Sequence, residues 1–128
     1  EITIDTIVAE GIVHDCLIRE RITMRDGIST AGEFIESDEI ESYIKLIVST
    51  LPGLFGPIGF QVKKSSNSDY LLLESNPRIQ GTSTAALGLG INLPLRAIDF
   101  ALGASLPLIK NKSGISFSRY YQEVFYES

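Results

Sequence analysis

The chain has one cysteine, one histidine and no excess of basic residues: 11 Lys and Arg stand against 16 Asp and Glu, a formal charge of -5. Each scarcity excludes something. Cys16 has no second cysteine for an internal disulfide, and a single cysteine fits the reducing cytoplasm, the expected compartment. An acidic chain with a pI near 4.8 lacks the basic face that nucleic acid requires, and no lysine-rich tract addresses a membrane surface. Apolar residues reach 44% of the chain, but charges break them up well short of the ~20 consecutive apolar residues of a spanning helix. A soluble protein without nucleic-acid or membrane partners is expected. Residue 1 already lies inside a strand-like pattern, with no charged leader and apolar core to read as a signal peptide. His14 has only Asp5, Asp15 and Glu20 as acids near it in sequence and no partnered nucleophile, so it reads as structural. Cys16 reads as a core residue.

At 128 residues, one domain over 1–128 is the default. Glu1 to Ala9 alternates, with Ile2, Ile4 and Val8 on one face and Glu1, Thr3 and Asp5 on the other, the period of a half-buried strand. Glu10-Gly11 turns the chain into a second β-rich run, Ile12 to Met24, which places Arg19 and Arg21 on one face. Small polar punctuation from Arg25 to Glu36 reads as an exposed loop. Ser37 or Asp38 can cap a helix whose apolar positions Ile40, Tyr43, Ile44, Ile47, Val48 and Leu51 share a face. Asp38 with Glu41 fits a capping box there, and Pro52-Gly53 ends the helix. Ile58 to Lys63 and Tyr70 to Ser75 read as a hairpin around the polar loop 64–69. Gln80 to Gly90 is rich in small residues and has room for a short helix. Asn92-Leu93-Pro94 opens a helix through Leu102, with Gly103 past its end, and Ile115 to Tyr126 reads as a final strand. The expected fold class is α+β, an antiparallel β-sheet with helices packed on one face.

The chemistry concentrates around the second hairpin. Glu74 and Asn76 are two apart on one strand and leave the same face, and Gln61 on the preceding strand lies near them if the loop closes in simple register. A carboxylate supported by amide oxygens suits Mg²⁺, or Mn²⁺, which usually takes its remaining ligands from water and nucleotide phosphates. Arg78 follows beyond Pro77, within reach of the same centre, where a guanidinium can offset the charge of a phosphoryl group or acyl phosphate. The alternative is a solvated strand edge followed by a turn, which short motifs often are.

The segment GPIGFQVKKSSNSDYLLLESNPRIQGTSTAALGLGINLP resembles the ATP-grasp pattern of a glutamine strand, a hairpin and a strand ending Glu-x-Asn-Pro-Arg, then a small-residue segment and a Gly-x-Asn-Leu-Pro helix start. EITIDTIVAEGIV is similar to the paired strands that precede it, and RERITMRDGISTAG to the arginine-containing loop over the nucleotide. The resemblance spans nearly the whole chain and is closest to the large subunit of carbamoyl-phosphate synthetase and related carboxylate-amine ligases. It implies Gln61, Glu74 and Asn76 as magnesium ligands, with Gln61 and Glu74 also beside the nucleotide, and Arg78 as the catalytic phosphate or acyl-phosphate arginine. It implies further that Glu1 meets the nucleotide ribose and that Gly27, Ile28 and Ser29 approach the nucleotide, Ser29 standing where the synthetase has a histidine.

The activity implied is phosphorylation of a carboxylate or bicarbonate by ATP, then attack of a nitrogen donor on the acyl phosphate, with no covalent protein nucleophile. The domain implied is the C-terminal half of an ATP-grasp core. The adenine pocket and phosphate-holding lysines belong to an N-terminal lobe or subunit as partner, since Lys45, Lys63 and Lys64 stand on the wrong elements. Two other classes stay open: a non-catalytic metal- or nucleotide-binding module, and a plain α+β interaction domain. Arg19, Arg21 and Arg25 beside Asp15, Glu20 and Asp26 read either as a salt-bridged surface or as phosphate contacts. The acids Glu33, Glu36, Asp38, Glu39 and Glu41 read as a favourable helix N-terminus, and Gly88 and Gly90 lack the context of a phosphate fingerprint.

Overall fold

Two acid–glycine pairs set the first half of the fold. Glu10 and Gly11 adopt φ of 52° and 77°, and Asp26 and Gly27 adopt 51° and 78°. This left-handed pair matches the twist of antiparallel strands and closes them in two residues. In the computed structural model, which describes residues 1–109 and 113–127, these turns join β1 (Ile2–Ala9), β2 (Ile12–Arg25) and β3 (Ile28–Ile35). There follow α1 (Asp38–Ser49), β4 (Phe55–Lys64), β5 (Tyr70–Asn76), a 3₁₀ segment (Ser83–Leu89), α2 (Leu93–Ala101) and β6 (Ile115–Ser118). The strands form one six-stranded sheet in the order β5-β4-β1-β2-β3-β6, every pair antiparallel.

The loop expected over Arg25 to Glu36 is instead a turn and a strand. Asp26-Gly27 supplies the whole connection, and Gly32 of β3 has no room for a larger side chain. A Cβ on Gly32 would come within 2.6 Å of the Glu20 carbonyl and 2.8 Å of the Phe117 ring. Two irregularities in the β2–β3 register, between Arg21 and Thr23 and between Thr23 and Met24, also hide the alternation that marks a strand in sequence. The final strand is shorter than expected. Ile115–Ser118 pairs with Ala31 to Phe34, Arg119 N donates to Thr30 O at 2.8 Å, and Tyr120 to Tyr126 continue without strand structure. Past Thr30 the partner strand is running into its own turn, so the ladder has little left to pair with.

Helix α1 starts where Ser37 Oγ accepts from Ile40 N at 3.3 Å, and Ile40, Ile44 and Val48, four apart, are fully buried. With Ser37 as the cap, the Asp38–Glu41 box does not form; Glu41 instead pairs with Lys45 at 2.6 Å. The helix ends at Ser49, before Pro52-Gly53. Asn92 caps α2 through Leu95 N at 3.1 Å. On one face of the sheet, Ile2, Ile4 and Val8 of β1, Cys16 and Ile18 of β2 and Ile58, Phe60 and Val62 of β4 pack against α1. Each large aliphatic side chain removed from water there contributes roughly 1.5–3 kcal/mol.

The class is the expected α+β antiparallel sheet, and its helical cover divides between two faces. Leu17 and Phe34 meet Ala86 of the 3₁₀ segment and Leu93 of α2 on the face opposite α1. The reason is visible in β1, which is buried at all eight positions rather than on alternate ones. A central strand with Ile4 toward one face and Asp5 toward the other has to be covered twice. No helix among the described residues is long and apolar enough to cross a membrane.

Candidate functional site

The register of the sheet brings the polar residues together on the face opposite α1. Glu74 of β5 lies opposite Gln61 of β4, which lies opposite Thr3 of β1, which lies opposite Arg19 of β2. The neighbouring row on the same face runs Asn76, Gly59, Asp5, Leu17. The β4–β5 register shifts just beyond Gln61, where Glu74 faces Gln61 and Leu72 faces Val62, so Leu73 is an extra residue. Such a bulge re-aims the side chains beside it. Glu74 is exposed, Gln61 and Asn76 are half-buried, and the Asn76 amide Nδ2 donates to the Glu74 carboxylate.

Arg21 stands at the other end of this cluster. Its Nη1 donates to the Glu1 carboxylate and to Gln61 Oε1 at 3.0 Å, and its Nη2 donates to the Gly27 carbonyl. Glu1, Gln61, Glu74, Asn76 and Gly27 therefore form one neighbourhood. The other expected residues lie apart from this network. Ile28 is 54% exposed and lines a 310 Å³ cleft with Arg25, Thr30, Arg119, Tyr120 and Tyr121. Ser29 is buried and donates to Ala31 O at 3.0 Å, within its own strand. Arg78 is exposed, and its Nη1 donates to Ile79 O at 3.2 Å; among the described residues it has no ion-pair partner.

A second polar group lies under the chain that crosses this face, and sequence reasoning missed it. Asp5 is 5% exposed and accepts from Arg19 Nη2 at 2.5 Å, from Ser83 Oγ at 2.7 Å and from Gln80 Nε2 at 3.2 Å. Arg19 also donates to Thr82 O at 2.8 Å, and Gln80 to Ile4 O at 3.0 Å. These bonds pin residues 80–83 onto the sheet beside the candidate site. Burial lowers the Arg19 pKa from its ordinary value, and the attraction of Asp5 opposes that shift. The surface reading of the arginines is corrected accordingly: Arg19 is 2% exposed and pairs with Asp5, Arg21 pairs with Glu1, and only Arg25 with Asp26 is a solvated pair. The available signal was a carboxylate in the middle of an apolar strand with an arginine on the same face of its hairpin partner.

Asp15 is occupied as well, accepting from Arg96 Nε and Nη2, both at 2.8 Å, which fastens α2 to β2. His14 packs on the Phe100 ring with centroids 4.7 Å apart, and burial pushes the Cys16 thiol up to about 12, leaving it neutral. Both serve packing rather than chemistry. Among the described residues no group of three or more His, Cys, Asp or Glu gathers as for a soft or carboxylate-only metal site. The donor set of Gln61, Glu74 and Asn76 is one carboxylate with two amides, all offering oxygen, and an amide proton of Asn76 is directed at the Glu74 carboxylate. That chemistry fits a hard divalent cation.

A family profile described as ATP-grasp in the biosynthetic pathway with Ter operon matches residues 1–122. The chain belongs to this ATP-grasp family. Solved structures agree on the fold. Biotin carboxylase from Campylobacter jejuni is similar at 24% identity and a TM-score of 0.63, over 83% of this chain and 26% of that one. N5-carboxyaminoimidazole synthetase from Staphylococcus aureus is similar at 14% identity and 0.64, over 86% and 31%. L-amino acid ligase from Bacillus licheniformis is similar at 15% identity and 0.54, over 79% and 29%. The ATP-grasp chain described here thus spans between a quarter and a third of the length of these structures. No curated protein matches it in sequence.

Proposed function

We propose that residues 1–128 are the C-terminal part of an ATP-grasp core and supply the metal-binding side of an ATP-dependent ligase. The reaction is formation of an acyl phosphate, or carboxyphosphate, from a carboxylate or bicarbonate, followed by transfer to a nitrogen nucleophile, as in carbamoyl-phosphate synthetase. The observation that carries this reading is the registered cluster: Gln61 opposite Glu74, Asn76 bonded to Glu74, and Glu1 joined to Gln61 through Arg21. Family membership supports it, as does the similarity of the fold to a synthetase complexed with ADP.

Gln61, Glu74 and Asn76 would hold Mg²⁺ or Mn²⁺. The cation, when bound, neutralises phosphate charge as it is transferred. The other roles fall to the chain itself. Glu74 is the one carboxylate of the set, and its full charge gives the site its attraction for a cation. Glu1 offers a carboxylate to the ribose hydroxyls, and Gly27 of the turn with Ile28 and Ser29 at the start of β3 would approach the nucleotide. Arg78, exposed just after the β5 end, is free to swing toward the transferring group and is the proposed catalytic arginine. An N-terminal ATP lobe or subunit completes the nucleotide pocket, and the single buried Cys16 suits work in the cytoplasm.

The test is ATP-dependent phosphate release by the complete enzyme with Glu74→Gln or Asn76→Ala. Each is expected to cost about 100-fold or more, the usual scale for removing a charge-stabilising group from a transfer site. Turnover close to wild type would overturn the ligand assignment. Metal and nucleotide binding without phosphate release in the unmutated enzyme would mark a binding module instead.

A further inference from the structure

We propose that Arg21 is a positioning residue of this site, which orients Glu1 and Gln61 together and ties both to the β2–β3 turn. The inference rests on the functional reading above and adds to it a residue that touches none of the reacting groups. Arg21 lies on β2 two residues beyond Arg19 and on the same face, and its side chain is 7% exposed. One guanidinium meets three acceptors from separate segments: the Glu1 carboxylate beside β1, Gln61 Oε1 on β4, and the Gly27 carbonyl in the turn.

A planar guanidinium fixes such acceptors relative to one another, whereas a lysine ammonium is a point charge on a flexible stem that meets them one at a time. Without Arg21, the Glu1 and Gln61 side chains lose the group that fixes one relative to the other. With it, the carboxylate proposed for the ribose and the amide proposed for the metal move as one unit. The Arg21 Nε is buried without a hydrogen-bond partner, so the described protein atoms leave one donor of this group unused. The contact to Gly27 extends the unit to the hairpin tip, whose residues Asp26 and Gly27 both hold positive φ.

Two measurements on Arg21→Ala and Arg21→Lys test this, one of them without ligand. In the free protein, Arg21→Ala should shift the Gln61 side-chain amide resonances. It should also speed hydrogen exchange in the 26–29 turn about tenfold or more, as local opening does, while the α1 amides Ile44 and Val48 stay unchanged. An unmoved Gln61 resonance overturns the proposal. With Mg²⁺·ATP as the probe, Arg21→Ala should weaken binding about 10–100-fold, the scale for losing a group that orients a ligand, and Arg21→Lys should recover part of it. Because Arg21 acts in part through Glu1 and in part through Gln61, the losses of Arg21→Ala and Glu1→Gln should combine to less than their sum in the double variant. Fully additive losses overturn the proposal. If the unmutated protein in its complete form fails to bind Mg²⁺·ATP while the Gln61 shift is seen, the ligase reading fails and the coupling through Arg21 stands.

Discussion

The two faces of this sheet are closed by different chemistry, one by an apolar core and the other by a smaller apolar cluster with a buried polar network beside it. Toward α1, the buried core is apolar: isoleucine, valine and phenylalanine from three strands meet Ile40, Ile44 and Val48, the one thiol, Cys16, is kept neutral by burial, and a bond from Leu72 N to the Tyr43 hydroxyl at 3.2 Å lies at its margin. Toward the 3₁₀ segment, the same strands present Asp5 and Arg19, and the crossing chain is held by directed bonds from Gln80, Thr82 and Ser83. An apolar interface is tolerant in orientation, because burial is proportional to area and has no direction. A buried ion pair with side-chain partners accepts one arrangement. The face that is held rigidly by direction is also the face whose next row carries Gln61 and Glu74. Burial of a charged pair is an expensive way to attach a segment, and its return here is the fixed placement of residues 80–83 beside the candidate site.

Breaking the polar closure should therefore cost the most. Asp5→Ala leaves the Arg19 guanidinium buried without its counter-charge and strips Ser83 Oγ and Gln80 Nε2 of an acceptor. The expected loss is about 3–5 kcal/mol, the range for removing one partner of a buried pair. Urea denaturation followed by circular dichroism measures it. A loss below about 1 kcal/mol would place Asp5 in water, as at an exposed pair, and dissolve the contrast between the faces.

How far this contrast can be read from the sequence differs between the faces. The α1 face is legible, because Ile40, Ile44 and Val48 repeat at helical spacing and Ile2, Ile4 and Val8 at strand spacing, and period alone marks burial. Glu74 and Asn76 are legible as a pair, two apart on one strand, but simple register does not bring them to Gln61: the ladder that starts at Lys64 and Tyr70 would set Gln61 opposite Leu73, and only the extra residue Leu73 turns Glu74 to it. The Asp5 network is not legible. Alternation assigns Asp5 to a solvated face, and only the return of Gln80 and Ser83, more than seventy residues on, buries it. Strand β3 escapes for a different reason. Its Gly32 answers to Phe117 on the neighbouring strand, and its broken alternation to bulges in the register, both set by partners outside its own segment.

A smaller disturbance of the polar face comes from crowding rather than from removing charge. A Cβ at Gly59 would fall 2.2 Å from Gln80 Cδ and 2.3 Å from both Gln80 Cγ and Nε2. Gly59→Ala should push the Gln80 side chain off Ile4 O and Asp5 Oδ1 while leaving Arg19 paired, at about 1–3 kcal/mol, the cost of overpacking a filled site. Thermal unfolding gives the stability, and the Gln80 side-chain amide resonance gives the cause. A stable Gly59→Ala with an unmoved Gln80 would show that the glycine makes no room for the crossing chain.

The least effect should come from trimming the apolar face. Ile44→Val removes one methylene from the α1 contact and should lower stability by about 0.5–1.5 kcal/mol. The matching test is whether the change is felt across the sheet. Ile4 and Asp5 are adjacent on β1 and point to opposite faces, so a backbone shift under α1 would have to move the acceptor carbonyl of Ile4 and with it Gln80. Nondirectional packing relaxes around a lost methylene without such a shift. The side-chain resonances of Gln80 and Gln61 should therefore stay in place in Ile44→Val at matched stability. Displaced resonances would mean that β1 transmits strain between the faces, and that the apolar side takes part in setting the geometry of the row that holds Glu74.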